Sequence, residues 1–230
     1  MPRVALAVAA NAPPGAYGKF PAHGDFLALK LGDELRSSVD ALIAGGLAAF
    51  RARRGAAWLE VYLTSPLWHF ALGPGLLTSE TVLGVMIPSV DAVGRYFPFA
   101  VLAELDCPVA PLRPEGDAAP WFAAAGELAL AVLEERLSVA DLGAALGDLG
   151  LPAIGNTEPP SWPFALEGDH TDRLAGILAM AAERPLGLFW SNGSPDVPAT
   201  VVGLAEPPSA ALVAALFDGN WASAGVAVVR

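Results

Sequence analysis

Apolar residues between Lys30 and Arg53 fall at Leu31, Leu35, Val39, Leu42, Ile43, Leu47 and Phe50, the three-and-four spacing of one helix face. Gly45-Gly46 interrupts that face, as expected where another backbone packs closely. Two aromatic and β-branched runs follow, Trp58 to Leu63 and Trp68 to Leu72, separated by Thr64-Ser65-Pro66, and this pattern predicts a hairpin. A second hairpin is predicted from Val82–Ile87 and Tyr96–Glu104 around the polar insert Pro88–Arg95, with Pro98 placing the second arm at an edge or bulge. Pro120–Leu137 has helical spacing through Phe122, Leu128, Val132 and Leu133. Ser138-x-x-Asp141 has the form of a capping box opening a short helix to about Leu146. Beyond a loop over Gly150–Pro163, the pattern predicts a helix over Thr171–Arg184 and strands at Leu186–Trp190 and Thr200–Leu204. A last helix starts near Pro207-Pro208 and ends before Gly219. Hairpins with helices clustered after them predict an α+β fold: a single domain over residues 1–230, built on a central, largely antiparallel sheet flanked by helices.

The chain has 230 residues, enough to bury a sizeable core, and 54% of them are hydrophobic against 16% charged. That balance raises the question of a membrane. The longest charge-free stretch, Val61 to Ser79, contains Pro66, Gly73, Pro74 and Gly75, which a spanning helix could not accommodate, so no membrane insertion is expected. Arg3 and the apolar run Val4–Ala10 are shorter than a secretory leader. A lone Cys107 cannot form an internal disulfide, fits a reducing compartment, and is expected to be a small buried hydrophobe. Thirteen Lys and Arg against 24 Asp and Glu give a net charge of −11. The only basic cluster, Arg51, Arg53 and Arg54, stands at a helix end, where cations suit the dipole. Nucleic acid is therefore not an expected partner, and a basic protein surface is.

Catalytic chemistry is hard to place. No phosphate loop and no Gly-x-Ser-x-Gly elbow occur, and one cysteine cannot supply paired zinc ligands. His23/Asp25 and His170/Asp172 are His-x-Asp pairs without an assignable third ligand. Neither a metal nor a cofactor is expected. A hydrolase or metal-dependent enzyme would have to be centred on the His23/Asp25 and Ser89/Asp91 loops.

Two segments concentrate ionisable residues inside Gly- and Pro-bounded loops: Tyr17-Gly18-Lys19-Phe20-Pro21-Ala22-His23-Gly24-Asp25-Phe26 and Pro88-Ser89-Val90-Asp91-Ala92-Val93-Gly94-Arg95-Tyr96-Phe97-Pro98. Asp91 and Arg95, four apart, can pair within their loop, and Asp25 or His23 can join them. Lys19, His23, Asp25, Ser89, Asp91 and Arg95 are thus candidates for a polar network that holds both loops, or for a partner-binding surface.

The same segments resemble the two signatures of the TagF (ImpM) family, accessory proteins of bacterial type VI secretion systems. The order between them is also similar, with Trp58–Leu63 and then Ser65-Pro66-Leu67-Trp68-His69-Phe70. Leu188-Phe189-Trp190-Ser191-Asn192-Gly193 resembles the family's aromatic strand, which adds Trp190 to the candidates. Phe217-Asp218-Gly219-Asn220-Trp221 resembles its C-terminal ending. Departures fall at Val39 and Ala92, and at Phe189 and Ser191 around Trp190. The resemblance implies a longin-like α/β sandwich and a cytoplasmic, non-catalytic regulator that restrains secretion-system assembly. It would do so by engaging the system's forkhead-associated-domain scaffold protein. A structural subunit of the machine is the other non-enzymatic possibility.

Overall fold

The computed structural model describes residues 12–109, 112–154 and 187–224. Its chain order is β1 (Gly15–Lys19), β2 (Phe26–Leu29), α1 (Asp33–Arg54), α2 (Trp58–Leu63), β3 (Trp68–Leu72), β4 (Thr81–Ile87) and β5 (Phe99–Leu105). Then follow α3 (Ala119–Leu133), α4 (Val139–Leu149), β6 (Gly187–Ser191), β7 (Thr200–Leu204) and α5 (Ala210–Asp218). The strands form one seven-stranded sheet in the order β2-β1-β5-β4-β3-β6-β7, and every neighbouring pair is antiparallel. The expected α+β architecture, an antiparallel sheet with flanking helices, is the observed one. The helix expected over Thr171–Arg184 lies outside the described residues, as do His170 and Asp172.

Both faces of the sheet are covered, and strand periodicity divides the core in two. In β5, Ala100 and Leu102 point to one face, while Phe99, Val101 and Ala103 point to the other. The first face packs under α1, α2 and α5 through Leu35, Val39, Ile43, Tyr62, Val213 and Phe217. The second packs under α3 and α4 through Trp121, Phe122, Ala125, Leu142 and Leu146. Central strands buried on both sides carry continuous apolar runs, and β4 and β5 do so.

Two expectations need correction. Trp58–Leu63 is a helix, so the hairpin partner of β3 is β4, not the segment before it. As a strand, this run would have placed Glu60 on the same face as Trp58 and Tyr62. As a helix it buries Val61 and Tyr62 and leaves Glu60 in water. The second correction concerns Pro98. β5 is a central strand between β1 and β4, and Pro98 stands one residue before it, where no ladder donor is required. The carbonyl of Pro98 leaves so little room that a Cβ on Gly18 would lie 2.0 Å from it, and Gly18 has φ +128°.

Helix ends follow their local signals. Ser138 Oγ accepts the Asp141 N–H at 3.2 Å and the Ser138 N–H donates to Asp141 Oδ2 at 3.0 Å, which completes the capping box of α4. The Ser138 hydroxyl, donating to Asp141 Oδ2 at 2.6 Å, and then the Ser138 N–H hold the Asp141 carboxyl below the usual range. α3 stops at Leu133, four residues short of the expected end, and Glu135 beyond it has φ +54°. Ser209 caps α5, and Gly219 closes it in the left-handed conformation.

The paired glycines of α1 have different roles. A Cβ on Gly46 would fall 2.1 Å from the side chain of Val213, so α1 and α5 approach to a distance only glycine permits. A Cβ on Gly45 would lie 3.6 Å from Ala210 Cβ, an ordinary contact. Gly46→Ala should therefore destabilise by about 1–3 kcal/mol through overpacking. Gly45→Ala should stabilise by up to about 1 kcal/mol through helix propensity. Chemical denaturation of the two variants checks both signs.

Candidate functional site

Antiparallel pairing decides where the two candidate loops meet. β5 starts opposite the ends of both β1 and β4, with Phe99 beside Gly18 and Ile87. The turn after β1 and the loop after β4 therefore emerge at the same end of the sheet, side by side. The second loop is itself a narrow hairpin: Val90 and Tyr96 form an antiparallel bridge, and Gly94 N–H returns to Asp91 O at 3.0 Å. Gly94 takes φ +83° at its tip.

Asp91 is the centre of the contact. Its side chain is 0% exposed, and every part of it is engaged. Oδ1 accepts the N–H groups of Val93 at 3.1 Å and Arg95 at 2.8 Å. Oδ2 accepts Arg95 Nε at 2.7 Å and faces Lys19 Nζ at 3.0 Å. Burial by itself would raise the Asp91 carboxyl. The Arg95 N–H, the Lys19 ammonium, the Arg95 guanidinium and the Val93 N–H together outweigh it and hold the group far below the usual carboxylate range. Lys19 is 3% exposed, and its ammonium lies 3.8 Å from the centroid of the Phe26 ring.

Three further bonds join the loops. Ser89 Oγ donates to Lys19 O at 2.8 Å, Ala92 N–H donates to His23 O at 3.1 Å, and Arg95 Nη2 donates to Gly24 O. Asp25 is the outer member. It is 76% exposed, accepts the Phe26 N–H on Oδ1 at 2.8 Å, and stands 3.7 Å from both Lys19 Nζ and Arg95 Nη2. The Phe26 N–H is the main reason its carboxyl is lowered, with Lys19 and Arg95 adding to the effect.

Lys19, Asp25, Ser89, Asp91 and Arg95 are thus brought together by their side chains. His23 takes part through its carbonyl, and its residue is exposed. Trp190 belongs elsewhere: in β6 it stacks on His69 at 5.4 Å and meets Phe122 edge-on at 4.6 Å, inside the core under α3. Burial lowers the His69 imidazole there. Cys107 is half-buried against the same core, and burial together with Asp106 pushes its thiol up to about 11.

Residues not anticipated from sequence complete the support. Tyr62 Oη donates to Ser89 O and accepts the Ser89 N–H, both at 2.9 Å, so α2 clamps the base of the second loop. Burial raises its phenol, while the bond with the Ser89 backbone acts in the opposite direction. Helical spacing of Trp58, Val61 and Tyr62 was the available signal. Tyr17 Oη donates to Asp40 Oδ1 at 2.6 Å, which ties β1 to α1, and the Tyr17, Phe26 and Phe97 rings cluster beside it. The arginine cluster does more than face a dipole. Arg51 Nη2 donates to Tyr96 O at 3.2 Å, while Arg53 donates to Asp218 Oδ1 at 2.7 Å and to Ala214 O at 2.9 Å.

A family profile described as "TagF N-terminal domain, Type VI secretion system-associated" matches residues 15–149, a span that contains both loops and every member of the network. The chain belongs to the TagF family. A crystal structure of PA0076 from Pseudomonas aeruginosa PAO1 is similar to it at 34% identity and TM-score 0.75, over 90% of this chain and 94% of that one. No curated protein matches it significantly. The TagF chain is therefore a type VI secretion-associated protein, and the matched span contains the whole polar network. Trp190 lies outside the profile's span.

Stability should separate the inner carboxylate from the outer one. Asp91→Ala strands a buried ammonium and two N–H groups, and should lower Tm by on the order of 10 °C. Asp25→Ala removes an exposed group and should move Tm by only about 1–2 °C. Because the folded Asp91 carboxyl is depressed, its stabilisation is complete above the unfolded pKa of about 4 and is lost as pH falls toward the folded value. Melting curves from pH 6 to pH 2 should fall more steeply below pH 4 for the wild type than for Asp91→Asn.

Proposed function

We propose that this TagF-family chain acts by protein–protein interaction, as a post-translational repressor of type VI secretion assembly that engages the forkhead-associated-domain scaffold protein in the cytoplasm. The observation that carries this reading is the family match across the loop network, together with how the network's side chains are used. They hold two loops in one conformation, which is what a preformed recognition surface requires. The outer surface of those loops presents Phe26, Val93, His23 and Asp25 to a partner.

The alternative, a hydrolase or metal-dependent enzyme on the same loops, is disfavoured by geometry. Ser89 Oγ is buried and donates to Lys19 O instead of facing a base, and both oxygens of Asp91 are occupied by donors. The His23 side chain makes no described contact with either residue, and among the described residues no three His, Cys, Asp or Glu side chains gather as a metal site would need. No helix among the described residues is long and apolar enough to cross a membrane.

Co-purification with the forkhead-associated-domain protein of the same secretion system tests the proposal directly. The wild type should retain that protein. Val93→Asp, on a side chain exposed at the second loop, should weaken capture about ten-fold while leaving Tm within about 2 °C. Phe26→Ala should weaken capture with a larger fall in Tm, because its ring packs on Tyr17 and Phe97. Overproduction of the wild type, but not of Val93→Asp, should reduce secretion. Undiminished capture by both variants would place the contact elsewhere on the molecule.

A further inference from the structure

Three donors converge on a single exposed oxygen at the outer end of the network. Asp25 Oδ1 accepts the Phe26 N–H at 2.8 Å, while Lys19 Nζ and Arg95 Nη2 each lie 3.7 Å away. The last two distances are too long for hydrogen bonds. A short side chain one residue before Phe26 reaches that N–H but cannot also close on both cations.

Lys19 makes the shortfall acute. Its side chain is 3% exposed, and Nζ has no partner in hydrogen-bond geometry; its 3.0 Å approach to Asp91 Oδ2 is an ion pair only. A buried ammonium carries three donors, and leaving them unaligned is costly. Asp91 Oδ2, shared with Arg95 Nε, is the only oxygen of that carboxylate near it, since Oδ1 already serves two backbone N–H groups. Lys19 and Arg95 therefore share one buried carboxylate, Asp91, and one loosely held one, Asp25.

We infer that this corner is an oxyanion-binding site, in which the Asp25 carboxylate stands in for a carboxylate or phosphate group arriving from outside. When Asp25 rotates into solvent, the Phe26 N–H, Lys19 Nζ and Arg95 Nη2 are left facing one position, and the corner, neutral while Asp25 occupies it, carries the +1 of Lys19, Arg95 and Asp91. An external oxyanion is not tethered to residue 25 and can settle within hydrogen-bond distance of all three donors. The Phe26 ring, 42% exposed and beside the ammonium, forms the wall that limits competing water. The site does not depend on which protein the chain engages, and it goes beyond the repressor reading.

The test follows the Phe26 amide by NMR while inorganic phosphate, or acetate, is titrated against potassium chloride of equal ionic strength. In Asp25→Ala the resonance should shift saturably, and Lys19 and Arg95 side-chain signals should respond with it. The wild type should bind about ten-fold more weakly because its own carboxylate occupies the site most of the time. Asp25→Asn, whose amide oxygen still accepts the Phe26 N–H without charge, should fall between them. Arg95→Gln in the Asp25→Ala background should abolish saturation. Tighter binding of phosphate than acetate would assign the ligand to a phosphate source, and the reverse order to an acidic side chain or chain terminus. No saturable shift in Asp25→Ala, or equal affinity in Asp25→Ala and wild type, would overturn the proposal.

Discussion

Burying the charge of Asp91 is the constraint on which the loop end of this molecule depends. A carboxylate removed from water is tolerable only when its oxygens are fully bonded and a counter-charge is close. Here the required donors come from two places. Val93 and Arg95 are local, within the same hairpin, but Lys19 lies at the end of another strand. The pairing of β1 with β5 must therefore deliver Lys19 to the base of the β4–β5 loop, and Gly18 makes that possible by letting the Pro98 carbonyl come close. Charge burial and backbone sterics select the same strand register.

The helices reinforce that arrangement from one side of the sheet. Tyr62 bonds both backbone groups of Ser89, Arg51 bonds the Tyr96 carbonyl, and Tyr17 reaches Asp40 on α1. α1 is in turn held to α5 by the close approach at Gly46 and by Arg53 on Asp218. Long-range contacts of this kind make the loops part of the packed structure instead of a loose appendage. Such an arrangement suits the recognition role proposed above, since a loop ordered before binding loses little entropy when a partner arrives.

The network grades from core to solvent. Asp91 and Lys19 are sealed, Arg95 is half-exposed, and Asp25 stands largely in water. Inner members are held by buried bonds, and outer members are held by longer contacts at the surface. Trp190, though it resembles a family feature, acts in the opposite core by packing on His69 and Phe122.

Sequence by itself determined the α+β class, strands β3 to β7, all helices but α2, and the Ser138 capping box, because each follows from local periodicity or from a neighbour a few residues away; it did not anticipate β1 and β2, nor that Val213 of α5 is what packs on Gly46. It also singled out the two charged loops and the Asp91–Arg95 pair, since four residues span a hairpin tip. Local signals were insufficient at Trp58–Leu63, where a short aromatic run suits either period until the burial of Tyr62 and the exposure of Glu60 decide it. They were insufficient too at Pro98, which marks a strand's start as readily as its edge. Only the tertiary structure decided that Lys19 is the buried counter-ion, that His23 contributes a carbonyl and not its ring, and that Trp190 belongs to another core. Those outcomes depend on strand order in the sheet, and pairing between residues some seventy positions apart leaves no periodic trace in the chain.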